Sequence, residues 1–215
     1  MNCTRSRPRS AGRFLAAALL ACGIGAASAA STATGDAPRA LVDKLSSAVL
    51  GVLGDNSLSA ESKRQKLEQL VYANVDFDTL SRLVLARNWS TFSPAQQDEF
   101  VREFKRHLSL TYGKNVESYK NEKIAITGDH EEARGDWTVQ TRILRGGPAD
   151  ISVNYRLRQT TGGWRIIDFV IENVSLVANY RAQFQDILGG GKPEKLLALL
   201  RDKNERGEPL KAPGA

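Results

Sequence analysis

Beyond residue 22 the chain contains no cysteine; its two cysteines are Cys3 and Cys22. That excludes a disulfide, a thiol nucleophile or a cysteine-held metal from everything downstream, so stability must come from an apolar core. Histidine is as scarce. His107 and His130 show neither metal-ligand spacing nor an H-E-x-x-H arrangement, and both read as surface residues. Phosphate loops are missing too: Gly191-Lys192 lacks the upstream glycine, runs into Pro193, and reads as a helix stop. Asn88-Trp89-Ser90 and Asn173-Val174-Ser175 match a glycosylation tripeptide that is short enough to arise by chance. No apolar run reaches the roughly 20 residues that a membrane-spanning helix needs.

The excess of positive charge is confined to the start of the chain. Arg5, Arg7, Arg9 and Arg13 precede an apolar run from Phe14 to Ala27, and Ala27-Ser28-Ala29 supplies the small-x-small cleavage pattern. Residues 1–29 therefore read as a cleaved secretory signal. Leu19-Leu20-Ala21-Cys22 resembles a lipoprotein processing site, but Arg13 leaves only Phe14 to Ala21 as its apolar stretch, which favours soluble export. The chain has 30 Lys+Arg against 24 Asp+Glu; without the four arginines of residues 1–29 the balance is 26 against 24. The mature charge is close to neutral and gives no argument for nucleic acid.

Residues 30–38 are small and polar and read as a flexible leader, 39–206 as one domain, and 207–215, rich in Gly and Pro, as a disordered tail. Leu41, Leu45, Val49 and Val52 recur at helical spacing until Gly54-Asp55-Asn56 breaks the pattern. Ser59 is a candidate N-cap for a helix with Leu67, Leu70 and Val71, and another follows Asp76 with Leu80, Leu83 and Val84 on one side. Ser93-Pro94-Ala95-Gln96 is a capping box with proline at the first helical position. Phe100, Phe104, Leu108 and Tyr112 then stack at i+4 steps, predicting a helix from Pro94 to about Glu117.

After Tyr119 the period changes to two. Ile124 and Ile126 start a strand that Gly128-Asp129 is expected to turn, and Trp137 to Ile143 and Ile151 to Leu157 alternate cleanly. Gly146-Gly147 and Gly162-Gly163 mark hairpins. From Trp164 to Ile171 both sides are apolar, with Ile166 and Val170 read as one face. Ser175 can cap a helix bearing Leu176, Tyr180, Phe184 and Ile187, which Gly189-Gly190-Gly191 ends before Pro193 starts the last one. The order gives an α+β domain with a four-stranded twisted antiparallel sheet wrapped by N- and C-terminal helices.

Asp168 interrupts an apolar strand, where burial could raise its pKa and suit it to proton transfer. An Asp paired with a nearby Arg, or accepting backbone N–H bonds at a sheet edge, is the favoured reading, and Glu172 and Arg181 have the same status. What remains is a large set of apolar and aromatic side chains, and periodicity cannot separate a filled core from a cavity.

Two stretches carry a resemblance. One runs from Leu85 to Tyr119 with Trp89, Gln96, Glu99-Phe100, Phe104, Leu108 and Thr111-Tyr112. The other is Trp164-Arg165-Ile166-Ile167-Asp168 followed by Ile171 to Arg181 and Gln183-Phe184. Together they resemble the periplasmic phospholipid-binding component of the Mla lipid-asymmetry pathway, the toluene-tolerance auxiliary family. Ala86 and Asn173 stand where that pattern leads one to expect glycine.

The resemblance implies a cystatin-like or nuclear-transport-factor-like roll and a soluble periplasmic shuttle, not an enzyme. Its cargo would be one phospholipid held by its acyl tails, with no cofactor. Its partners would be an inner-membrane ABC transporter bearing an MCE-domain ring and an outer-membrane lipoprotein–porin complex. The inward-facing candidates are Leu83, Phe104, Leu108, Tyr112, Val139, Ile143, Ile151, Val153, Tyr155, Ile166, Val170 and Tyr180. Two other readings compete. An exported interaction module would have a filled core and no lipid; an acid–base isomerase on the same roll would aim Asp168 into the pocket.

Overall fold

The computed structural model describes residues 36–113, 119–146, 149–189 and 192–210, so the expected signal lies outside the described residues. Helix α1 (Asp36–Gly54) starts inside the stretch read as leader, whose earlier residues are not described. It lies along β-strands β1 (Lys123–Glu131), β2 (Trp137–Leu144) and β4 (Gly163–Ile171), burying Val42 and Leu45. Helix α2 (Ala60–Asn74) is capped by Ser59, whose hydroxyl accepts from the Ser62 N–H. Helix α3 (Phe77–Leu85) is capped by Asp76, whose carboxylate takes the Thr79 N–H at 2.9 Å. The link between α2 and α3 is pinned to the sheet, because Val75 bridges Ile166 and the Asp76 N–H donates to the Ile166 carbonyl.

The capping box of α4 (Pro94–Tyr112) forms as expected, with both Ser93–Gln96 hydrogen bonds present. The helix stops at Tyr112 with Gly113 as its C-cap, short of Glu117; residues 114–118 are outside those described. With β3 (Ile151–Thr160) and a short β5 (Val174–Ser175), the sheet has five strands in the order β1-β2-β3-β4-β5, antiparallel throughout. Helix α5 (Leu176–Gly189) packs on α3 and β4, and α6 (Pro193–Arg206) packs on α4. No helix among the described residues is long and apolar enough to cross a membrane.

Two bulges change the expected strand reading. Gly128 and Asp129 do not turn the chain: β1 continues through them to Glu131, with a register shift between Ile126 and Gly128 that absorbs Thr127. On β4 the shift falls between the Leu157–Ile166 and Arg156–Asp168 pairs, so Ile167 is the extra residue. A single inserted residue moves every later side chain to the other face. Ile166 therefore shares its face with Phe169 and Ile171, partners of Tyr155 and Val153, whereas Val170 lies on the opposite face with Asp168.

Both positions where glycine was expected adopt positive φ: 49° at Ala86 and 65° at Asn173. Asparagine tolerates the left-handed region through local hydrogen bonding. Alanine does not, and Ala86, with ψ −123°, carries strain of order 1–3 kcal/mol. Its replacement by glycine relieves that strain but frees the unfolded chain, which costs up to about 1 kcal/mol. Ala86→Gly is thus expected to stabilise the protein by about 1 kcal/mol, read as a higher denaturant midpoint at unchanged slope. An unchanged or lower midpoint would count against strain at this site.

The C-terminal end departs from expectation as well. Leu210, inside the stretch read as a disordered tail, is buried, and its N–H donates to Nε2 of His107 at 3.2 Å. His107 is buried, not on the surface, and Nδ1 meets Asn204 Oδ1 at 3.1 Å. Accepting at Nε2 places the proton of a neutral ring on Nδ1. Burial lowers the pKa of His107, which favours that neutral form. Residues 211–215 lie outside the described chain.

Candidate functional site

The stripe along α4 serves two purposes. Phe100 and Phe104, with no exposed surface, stack on each other and meet Phe184 edge-to-face, and Phe104 meets Tyr180 edge-to-face with ring centroids 5.0 Å apart. This half is filled core. One and two turns further on, Leu108 and Tyr112 border a cavity of about 340 Å³. That volume lies within the range of small-molecule sites.

The floor of the cavity is sheet: Val153 and Tyr155 from β3, Phe169 and Ile171 from β4. Register sets them side by side, since Val153 pairs with Ile171 and Tyr155 with Phe169. Val75, Phe77, Leu80 and Leu176 close one end, and Leu67, Val71 and Tyr72 of α2 form the far wall. Helix α2 buries none of its residues. Leu67, Val71 and Tyr72 are only half-covered, and all three face the cavity.

Polar groups gather along the seam between α2 and α4. Glu68 of α2 accepts hydrogen bonds from the hydroxyls of Tyr72 and Ser109, the latter at 2.7 Å. The Lys105 ammonium lies 3.5 Å from the centre of the Tyr72 ring. A Cβ on Gly113 would lie 3.6 Å from Cγ of Arg64. Read in order, positions 64, 68 and 72 meet 113, 109 and 105, so the two helices run antiparallel and touch at successive turns. Burial, reinforced by the bond to Glu68, pushes the Tyr72 hydroxyl pKa up to about 12. It remains a neutral donor at any physiological pH. Burial likewise raises the pKa of Tyr112 and of Tyr155.

Of the twelve side chains expected to face inward, Leu108, Tyr112, Val153 and Tyr155 meet at this cavity. Phe104 and Tyr180 belong to the aromatic core. Val139 and Ile166 are fully buried on the same sheet face, beside Tyr155 and Leu157 respectively. Ile143 and Ile151 pair at the strand ends, two residues beyond the Thr141–Val153 pair. Leu83 is half-buried, and its carbonyl accepts both Nε and Nη2 of Arg181. Val170 is on the wrong face for the cavity. The α2 wall, Phe169 and Ile171 were not anticipated. The signal that could have found α2 is a run of apolar residues on an otherwise charged helix, at the spacing Leu67, Val71.

Asp168 does not reach the cavity. With 1% exposure it takes the Ser175 hydroxyl at 2.6 Å, the Val177 N–H at 3.0 Å and Nη1 of Arg156 at 3.3 Å. The pairing with an arginine is the one favoured from the sequence, whereas the backbone N–H that Asp168 accepts belongs to the first turn of α5 and not to a sheet edge, β4 lying between β3 and β5. Glu172 accepts from the Ser152 N–H at the end of the β3–β4 ladder.

The family model described as MlaC protein matches residues 43–202. Toluene tolerance protein ttg2D of Pseudomonas putida is 23% identical over 162 residues, which span 73% of this chain and 75% of that one. Among solved structures, the phospholipid-binding protein from Ralstonia solanacearum in complex with a phospholipid superposes with a TM-score of 0.71 at 25% identity. The match covers 78% of this chain and 97% of that one.

Proposed function

This chain is a member of the MlaC protein family, and we propose that it is a periplasmic phospholipid carrier. It holds acyl chains in the cavity under α2 and α4 and shuttles the lipid between outer and inner membranes to maintain lipid asymmetry. The observation that carries the reading is the cavity itself: about 340 Å³, walled by aliphatic and aromatic side chains from four helices and the sheet. The phospholipid bound by the Ralstonia relative supports the same cargo here.

The energetics suit a carrier. Each buried methylene is worth about 0.8 kcal/mol, so two tails of about fifteen methylenes amount to roughly 24 kcal/mol. Leaving a bilayer costs a similar amount, because the tails already sit in an apolar medium. A site that covers the tails makes the exchange nearly neutral. Direction must then come from partners, proposed here as an MCE-ring ABC transporter at the inner membrane and a lipoprotein–porin complex at the outer.

Native mass spectrometry of protein purified from the periplasm, followed by organic extraction, tests the reading. A one-to-one adduct with the mass of a diacyl phospholipid is expected. A bare protein mass that stays unchanged after incubation with phospholipid vesicles would overturn it.

A further inference from the structure

The seam between α2 and α4 is where charge meets the apolar cavity. Two cations border it, Arg64 and Lys105, and they are not equivalent. Arg64 is engaged on its own helix, with Nε and Nη2 both on Glu61 at 2.6–3.0 Å. Lys105 has no carboxylate within ion-pair distance among the described residues. Its ammonium is held over ring faces instead, 3.5 Å from the Tyr72 centroid and 5.4 Å from that of Phe77. A ring face attracts an ammonium without taking its hydrogens in conventional bonds, so the group keeps donors to offer. The neighbouring acid, Glu68, is turned to the hydroxyls of Tyr72 and Ser109, both on its Oε1, and forms no ion pair with Lys105.

We infer that Lys105 is the phosphate contact of the carried lipid, the one charged group that orients it with its tails inward and its phosphodiester at the seam. The inference rests on the carrier reading and deepens it. Every diacyl glycerophospholipid presents an anionic phosphate at the same distance from its tails, whatever lies beyond it. A single cation there selects phospholipids over uncharged diacylglycerols while tolerating different head groups. Tyr72 and Phe77 fix the ammonium laterally, and an ammonium is a compact point charge suited to a phosphate oxygen.

The test compares the delipidated wild-type protein with Lys105→Gln and Lys105→Arg. Each is titrated with dioleoylphosphatidylglycerol and with dioleoylglycerol, and bound lipid is quantified by extraction. Wild type is expected to favour the phospholipid. Lys105→Gln is expected to lower the ratio of phospholipid to diacylglycerol affinity about tenfold, equal to about 1.4 kcal/mol, and Lys105→Arg to restore most of it. An unchanged ratio in Lys105→Gln overturns the inference. So does an equal loss of both lipids, which marks Lys105 as packing support for Tyr72. Wild-type protein that takes up neither lipid overturns the carrier reading and this one with it.

Discussion

A Val153→Asp protein is expected to fold and to emerge from purification without lipid. Val153 lies in the cavity floor with 9% exposure, between the β2 and β4 strands that pair with it through Thr141 and Ile171. Its backbone carbonyl is held by the Thr141 hydroxyl at 2.6 Å, and that bond does not depend on the side chain. In the lipid-free protein water can follow a carboxylate into the cavity, so the folded state loses little more than the valine's burial, about 1.5–3 kcal/mol. Against a packed acyl chain the same carboxylate must be desolvated, which costs several kcal/mol even after relaxation. At 1.4 kcal/mol per tenfold, that amounts to about a thousandfold in lipid affinity.

Val170→Asp is the matched control. It adds the same charge one strand away on the opposite sheet face, and should leave the lipid in place. Circular dichroism establishes folding, and extraction measures the lipid. A folded Val153→Asp protein with its full lipid complement would remove this cavity from the binding site.

The contrast between those two valines shows what could be read from sequence. Period-two alternation located β2 and β3 and sorted their faces correctly, because neither strand contains an inserted residue between paired positions. On β4 the run Trp164 to Ile171 is apolar on both sides, so nothing in the pattern marks Ile167 as the extra residue that puts Ile166 and Val170 on opposite faces. Thr127 hides in β1 in the same way, and Gly128-Asp129 reads as a turn when it is the continuation past a bulge. Bulges are set by how a strand must bend against its partners, a tertiary requirement with no local spelling.

The helices show the same division. Ser93-Pro94-Ala95-Gln96 announced α4 because a capping box is satisfied within four residues. The stripe Phe100, Phe104, Leu108 and Tyr112 could not say where core ends and cavity begins, since both demand apolar side chains at i+4. That boundary is decided by what stands opposite: Tyr180 and Phe184 of α5 fill the space over Phe104, whereas α2 stands off from Leu108 and Tyr112. His107 misled for a related reason. Its partners, Asn204 and the Leu210 N–H, come from the far end of the chain, and no local pattern foretells a polar group satisfied over that separation.

Asp168→Ala is expected to destabilise the fold by about 3 kcal/mol. Three donors converge on this carboxylate, and the substitution leaves each of them differently placed. The Val177 N–H is buried in the first turn of α5 and has no carbonyl of its own helix to reach. The Ser175 hydroxyl donates to Asp168 while accepting the Ala178 N–H at 3.0 Å, so losing the acid loosens a second capping bond. Arg156 is left unpaired, but at 38% side-chain exposure it can turn to water. Removing one partner of a buried ion pair costs about 3–5 kcal/mol, and the exposure of Arg156 places this case at the lower end.

Asp168→Asn keeps an acceptor for Val177 but turns an amide donor towards Ser175 and Arg156, so about 2 kcal/mol is expected there. The loss should reach the binding site as well, because Leu176, the first residue of α5, is part of the cavity wall. Denaturant unfolding of the two variants measures the loss, and lipid retention reports on the wall. A change below about 0.5 kcal/mol in Asp168→Ala would mean that the first turn of α5 is held by packing alone. Asp168 would then need another explanation for its place in an apolar strand.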